Sequence, residues 1–214
     1  MSVPRSILSR ELLPASIAIY TTVAIVAFEG LAITAALPEL AAELGNVTLL
    51  PWVITTFLLA SAVTTAIAGT LIDSLGTSMV FRWATIFFAS SSLVAAVAPS
   101  MQILLVSRLV QGASGGALIS VGIAAVALVY PDHLTGRALA ANSNVWGVLG
   151  FASPAIAAAM LEFGSWRWIF LIMVPICIVA LAAGWRTLPR AVEPQPLELD
   201  WVAAGLLVAT VGFF

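Results

Sequence analysis

The chain has no lysine, one cysteine and one histidine, and only 8% of its 214 residues are charged. A soluble domain carries about 25% charged residues, so this sequence cannot cover a water-facing surface. Its cations are all arginines, its net charge is −2 and it has no basic run. That excludes a surface for nucleic acid, which needs clustered cations against the phosphates. A single cysteine, Cys177, allows no intrachain disulfide, and its place in an apolar run makes it a packing residue. The single histidine, His133, stands beside Asp132 between two apolar segments, with no second ligand at metal spacing and no HExxH pattern. No serine within an apolar segment has a histidine to activate it. No metal and no cofactor are therefore expected, and an intramembrane enzyme has nothing to work with.

What the chain has is hydrophobicity: 62% of residues, with a mean hydropathy of +1.12. About 20 apolar residues cross a bilayer as a helix. Six segments meet that length, roughly 14–37, 49–71, 79–98, 102–129, 138–161 and 167–187, giving an all-α polytopic membrane protein embedded in a lipid bilayer. The first is too long for a signal-peptide core and has no clear cleavage site after it, so it reads as a retained helix. Short breaks rich in Pro, Gly, Asn and Asp separate the segments. Residues 1–187 thus form one six-helix unit. Residues 188–199, with their prolines and charges, read as a cytoplasmic linker. Residues 200–214 read as the start of a seventh span, cut short after Trp201–Phe214, so the expectation is a fragment whose remaining helices lie further along the same chain.

With the N-terminus inside, Arg5, Arg10, Arg82, Arg137, Arg186 and Arg190 fall on the cytoplasmic side and Arg167 outside, the usual positive-inside bias. The first outer loop carries Glu39 and Glu43. Trp52, Trp166 and Trp168 fall at outer ends and Trp185 and Trp201 near inner ends, as an aromatic belt does.

Two ionisable residues lie deep within spans. A charge at the bilayer centre costs about 2.5–3.5 kcal/mol on insertion scales and faces a bundle interior or a cavity. Counted at 1.5 Å per residue, Glu29 lies about 12 Å and Arg108 about 9 Å below the outer end of its helix. Similar depths predict a common, cavity-facing interior and a pairing, direct or through water or substrate. Gln111, Gly112 and Gly115 follow Arg108 at i+3, i+4 and i+7 on one helix side, and Gly112 with Gly116 makes a GxxxG, the spacing of close helix packing. The 2–3 turn holds Gly69, Asp73 and Gly76; a carboxylate there can meet the positive N-terminus of another helix and act as a latch. Pro154 removes a backbone bond from the fifth span and predicts a bend there. The hydroxyls of Thr55, Thr56, Ser61, Thr64 and Thr65 can be satisfied by their own helix.

The order of these pieces resembles the N-terminal half of a major facilitator superfamily transporter, most like the fourteen-helix drug:proton antiporter group. The stretch "FEGLAITAALPEL" is similar to that group's first-helix motif, with Glu29 where an aspartate is usual. "LPWVITTFLLASAV" is similar to its second helix, "GTLIDSLG" to the first half of the 2–3 loop signature, "RLVQGASGGA" to the fourth-helix motif and "SWRWIFLIMVPI" to the entry into the sixth. Two stretches depart from the family pattern. Thr77-Ser78-Met79 stands where the loop signature continues with cations, and Ser153-Pro154-Ala155-Ile156-Ala157-Ala158 replaces the glycines of the fifth-helix antiporter motif.

The resemblance implies a six-helix bundle made of two inverted three-helix repeats, half of a carrier that alternates access about a midplane site. It implies secondary active transport of a small-molecule substrate coupled to protons: export of hydrophobic or cationic compounds from a bacterial inner or plasma membrane. Glu29 and Arg108, with Gln111 beside them, would serve proton coupling or substrate binding, and Gly69, Asp73 and Gly76 the gating loop. A metabolite or sugar facilitator, with Arg108 binding an anionic group, and a half-transporter fragment that does not transport are the alternatives.

Overall fold

The computed structural model describes residues 6–189, all helix and connecting turn; the expected linker beyond Pro189 and the seventh-span segment 200–214 lie outside the described residues, as does Arg5. The helices are α1 Leu13–Leu44, α2 Leu50–Leu75, α3 Thr77–Ala96, α4 Met101–Val129, α5 Asp132–Phe163, α6 Arg167–Leu171 and α7 Met173–Gly184. A 3-10 turn, Val47–Leu49, precedes α2. Helices α6 and α7 together make a sixth span, so among the described residues six helical stretches are long and apolar enough to cross a membrane. The short break at Ile172 has a covalent cause: Pro175 has no N–H for the carbonyl of Leu171.

Helices α1 and α4 form the centre and are the most buried; α2 and α5 are the least. Helix α4 packs against α2 and α3, α1 packs against α5 and α7, and α3 closes the ring against α6 and α7. One core runs through all of them, filled by Ile19, Ile33, Phe81, Phe88, Leu104, Leu118 and Phe170.

Several helices outrun their apolar segments. Helix α1 continues through Pro38 to Leu44, 32 residues or about 48 Å, where the sequence predicts a loop from Pro38. Leu40 is fully buried and keeps the core-facing stripe going. Helix α5 starts at Asp132 rather than 138. The Pro131 carbonyl accepts from Leu134 and Thr135, an acid sits in the first turn where the helix dipole favours it, and Leu134 and Ala138 are buried in the core. Pro154 lies within a helix assigned without interruption from Asp132 to Phe163.

Candidate functional site

Helix α1 supplies Glu29 and helix α4 supplies Arg108 and Gln111, and all three side chains are fully buried. Arg108 Nη1 donates to Glu29 Oε1, a direct ion pair, and also to Gln111 Oε1 at 3.1 Å. Arg108 Nε donates to the Val53 carbonyl at 3.0 Å, so α2 is joined to the pair. Gln111 Nε2 donates to Ser92 Oγ at 2.7 Å, which brings in α3. The guanidinium carbon stands 4.4 Å from the ring centroid of Phe57 and 5.9 Å from that of Phe170, within cation–π range. A single arginine thus touches residues of α1, α2, α4 and α6 and, through Gln111, reaches α3.

The arrangement is strongly directional. Arg108 and Gln111 meet because residues three apart are neighbours on a helix. The charge pair is enclosed by aromatic faces, where electrostatic attraction is stronger than in water. Glu29 Oε2 and Arg108 Nη2 make no hydrogen bond to the described residues. The structure brings Glu29 and Arg108 together in a common interior as a direct pair, and with zero exposure both lie inside the bundle rather than on a cavity wall.

The glycines after Arg108 have separable roles. A Cβ on Gly112 would overlap the Phe57 backbone, and one on Gly116 the Ser61 carbonyl; Gly115 meets only the Phe57 and Phe88 rings at ordinary distances of 3.5 and 3.6 Å. The GxxxG therefore brings α4 against the backbone of α2, and Thr65 Oγ1 adds a bond to the Gly116 carbonyl at 3.3 Å.

At the 2–3 turn, Gly76 has φ +83°, a conformation open to glycine but costly for other residues. Asp73 is an exposed residue within α2, and no described residue bonds its carboxylate; α3 begins with no side-chain cap. Among the described residues Asp73 makes no hydrogen bond to another helix end. Gly69 is exposed with nothing near its Cβ position, and Pro154 is exposed on α5.

Two clusters escaped the sequence reading. At one end, Trp166 is fully buried rather than belt-like; its Nε1 donates to Glu43 Oε2 at 2.6 Å, and Arg167 Nη1 donates to Glu43 Oε1 at 2.5 Å while its guanidinium covers the Trp166 ring. This pins the end of α1 to the start of α6. The signal was present as the acid of the first outer loop and the one cation assigned outside. At the opposite end, the Ser16 and Tyr130 hydroxyls meet at 2.7 Å, joining α1 to the end of α4. Among the described residues no three His, Cys, Asp or Glu side chains gather as a metal-ligand set.

The sequence pattern of the Major Facilitator Superfamily matches residues 17–212. The chain belongs to that superfamily, whose members are transporters rather than enzymes. Among curated relatives of this facilitator chain, the uncharacterized transporter YebQ of Escherichia coli K12 is 34% identical over 76% of the chain and 37% of the relative. A probable multidrug-efflux transporter of Mycobacterium tuberculosis is 34% identical over 84% of the chain and 40% of the relative. The multidrug transporter protein MdtP of Bacillus subtilis is 30% identical over 87% and 34%. The facilitator chain spans well under half the length of these relatives. The fold also matches a crystal structure of a D-xylose-proton symporter, with TM-score 0.73 at 13% identity over 94% of this chain and 53% of that one. An inward-open conformation of the xylose transporter XylE from E. coli matches with TM-score 0.72 at 14% identity, over 94% and 55%. At such identities the likeness is one of fold.

Proposed function

We propose that the protein of which this bundle is part exports small hydrophobic or cationic compounds in exchange for protons, and that Glu29 is the carboxylate whose protonation couples the two. The observation that carries this reading is the buried Glu29–Arg108 pair and the helices it joins. Protonation of Glu29 removes the negative partner. Arg108 then holds only the Val53 carbonyl and Gln111, and the direct charge link between α1 and α4 is released. Deprotonation restores it. A group that switches the tie between the two central helices is suited to bias a bundle between two arrangements. The relative named a probable multidrug-efflux transporter, at 34% identity, supports export as the direction, and the multidrug names at 30% and 34% support a cargo of more than one compound.

The anion-binding alternative needs Arg108 to receive a substrate carboxylate or phosphate. Its guanidinium is fully buried and already engaged by Glu29, Gln111 and Val53, which favours the coupling role. We place the protein in a bacterial inner membrane with the N-terminus cytoplasmic, in keeping with the arginine distribution and the bacterial relatives. The test is a full-length protein in proteoliposomes, loaded with a lipophilic cationic dye and given a pH gradient. Glu29→Gln is expected to abolish pH-driven movement of the dye. Unchanged pH-driven transport in that variant refutes the coupling role.

A further inference from the structure

The cation Arg82 has no part in the site described above, and its surroundings have the layout of a lipid. Arg82 lies on α3, five residues from its start, half-buried. Its Nη2 donates to the Trp185 carbonyl just past α7, and its guanidinium covers the Trp185 ring at 4.4 Å. That carbonyl is its only hydrogen-bond partner among the described residues, and Nε is left without one. Arg186, the next residue, is exposed.

A groove of about 270 Å³ lies between α3 and α7, lined by Thr85, Ala89, Ser90 and Leu93 on one side and Cys177, Ile178 and Leu181 on the other. Arg82, Thr85, Ala89 and Leu93 recur at helical spacing on α3, and Cys177 and Leu181 do so on α7, with Trp185 at its C-cap continuing the row four residues on. Arg82 and Trp185 are therefore the next turn of the two walls and stand at the groove's inner mouth. From Arg82 to Leu93 the walls extend about 16 Å. The two hydroxyls in the lining are already spoken for: Thr85 Oγ1 donates to the Phe81 carbonyl at 2.7 Å and Ser90 Oγ to the Phe87 carbonyl at 3.1 Å. The groove thus offers a guest hydrocarbon contact and no free hydroxyl, while Arg82 and Trp185 stand one turn beyond its lining and the exposed Arg186 follows Trp185 in the chain.

We propose that this groove is a binding site for an anionic phospholipid, with the phosphate on Arg82 and Arg186 and an acyl chain along the α3–α7 wall. The charge complementarity decides the class. An arginine fork matches a phosphate, long cationic side chains reach the headgroup level from just inside a helix end, and basic pockets between spans on the cytoplasmic side take anionic headgroups. Placing that mouth at the cytoplasmic leaflet rests on the orientation proposed above. The lipid would tie the 2–3 turn side of α3 to the end of the sixth span.

Native mass spectrometry of the full-length protein tests this, with phosphatidylglycerol and phosphatidylcholine of identical chains offered at equal concentration. The expected result is preferential retention of phosphatidylglycerol, lowered about fivefold by Arg82→Gln, as loss of one cation near the membrane surface implies, and kept by Arg82→Lys. Ala89→Leu fills the groove and is expected to lower retention of both lipids; Arg137→Gln, distant on α5, leaves both unchanged. Should Arg82→Gln fail to fold, Arg186→Gln is expected to weaken phosphatidylglycerol retention in the same direction. Equal retention of the two lipids by the unaltered protein, or wild-type retention of phosphatidylglycerol in both arginine variants, overturns the proposal. Because transport is not the readout, this result and that of the Glu29 experiment are independent.

Discussion

Arg108 is among the largest fully buried side chains described. It is large, charged and fully buried, and its stability depends on keeping every partner. Removing one member of a buried ion pair strands the other, typically at 3–5 kcal/mol. Arg108→Ala and Glu29→Ala are each expected to cost that order in thermal unfolding of the detergent-solubilised protein, and the double replacement less than the sum of the two. Additive losses would show that the pair does not share energy. Glu29 and Arg108 were legible in the sequence because a charge in an apolar run is conspicuous and its depth can be counted. Val53, Phe57, Ser92 and Phe170 were not. They are ordinary span residues, and only packing of α2, α3 and α6 around α4 brings them to the guanidinium. Trp166 carries a second residue-scale expectation. Glu43→Gln keeps an acceptor for its indole N–H but removes the charge that Arg167 meets, and exposed ion pairs are worth about 0–1 kcal/mol. Glu43→Ala also strands the buried indole, for about 1–3 kcal/mol. A larger loss for Glu43→Ala than for Glu43→Gln in the same melting assay would identify the indole bond as the main contact; equal losses would assign it to the ion pair.

At the scale of helices, the close approach of α2 and α4 depends on two missing side chains. Gly112→Ala and Gly116→Ala must push the α2 backbone away at Phe57 and Ser61, whereas Gly115→Ala meets only ring edges at van der Waals distance and Gly69→Ala meets nothing. Overpacking of this kind costs about 1–3 kcal/mol. Thermal unfolding should therefore rank Gly112→Ala and Gly116→Ala as the damaging pair and leave Gly69→Ala near wild type; a flat series would contradict the close contact. Helix existence was readable from six long apolar runs, since composition alone demands them. Helix ends were less so. The final turns of α1 and the first turn of α5 are polar and proline-marked, which is turn chemistry on a local reading. They remain helical because Leu40 and Leu134 continue each buried stripe, a tertiary fact that local composition does not carry.

For the whole molecule, the 2–3 turn separates a residue needed for folding from one suited to act between parts. Gly76 is held at φ +83°, and Gly76→Ala forces a strained backbone at about 1–3 kcal/mol whatever the rest of the transporter does. Asp73 lies three residues earlier, exposed and without a bonded partner among the described residues. The bundle gains nothing visible from its charge, and Asp73→Asn is expected to change unfolding by less than about 0.5 kcal/mol, as at other exposed positions. If Asp73 latches this bundle to a helix end elsewhere in the full-length carrier, the same variant slows dye transport in proteoliposomes while its melting curve overlies that of the parent. The two measurements must be made on one preparation, because the argument lies in their divergence. Slowed transport with unchanged melting places the work of Asp73 between parts of the carrier. Transport and melting both unchanged removes the latch, and a parallel loss in both makes Asp73 a structural residue of α2.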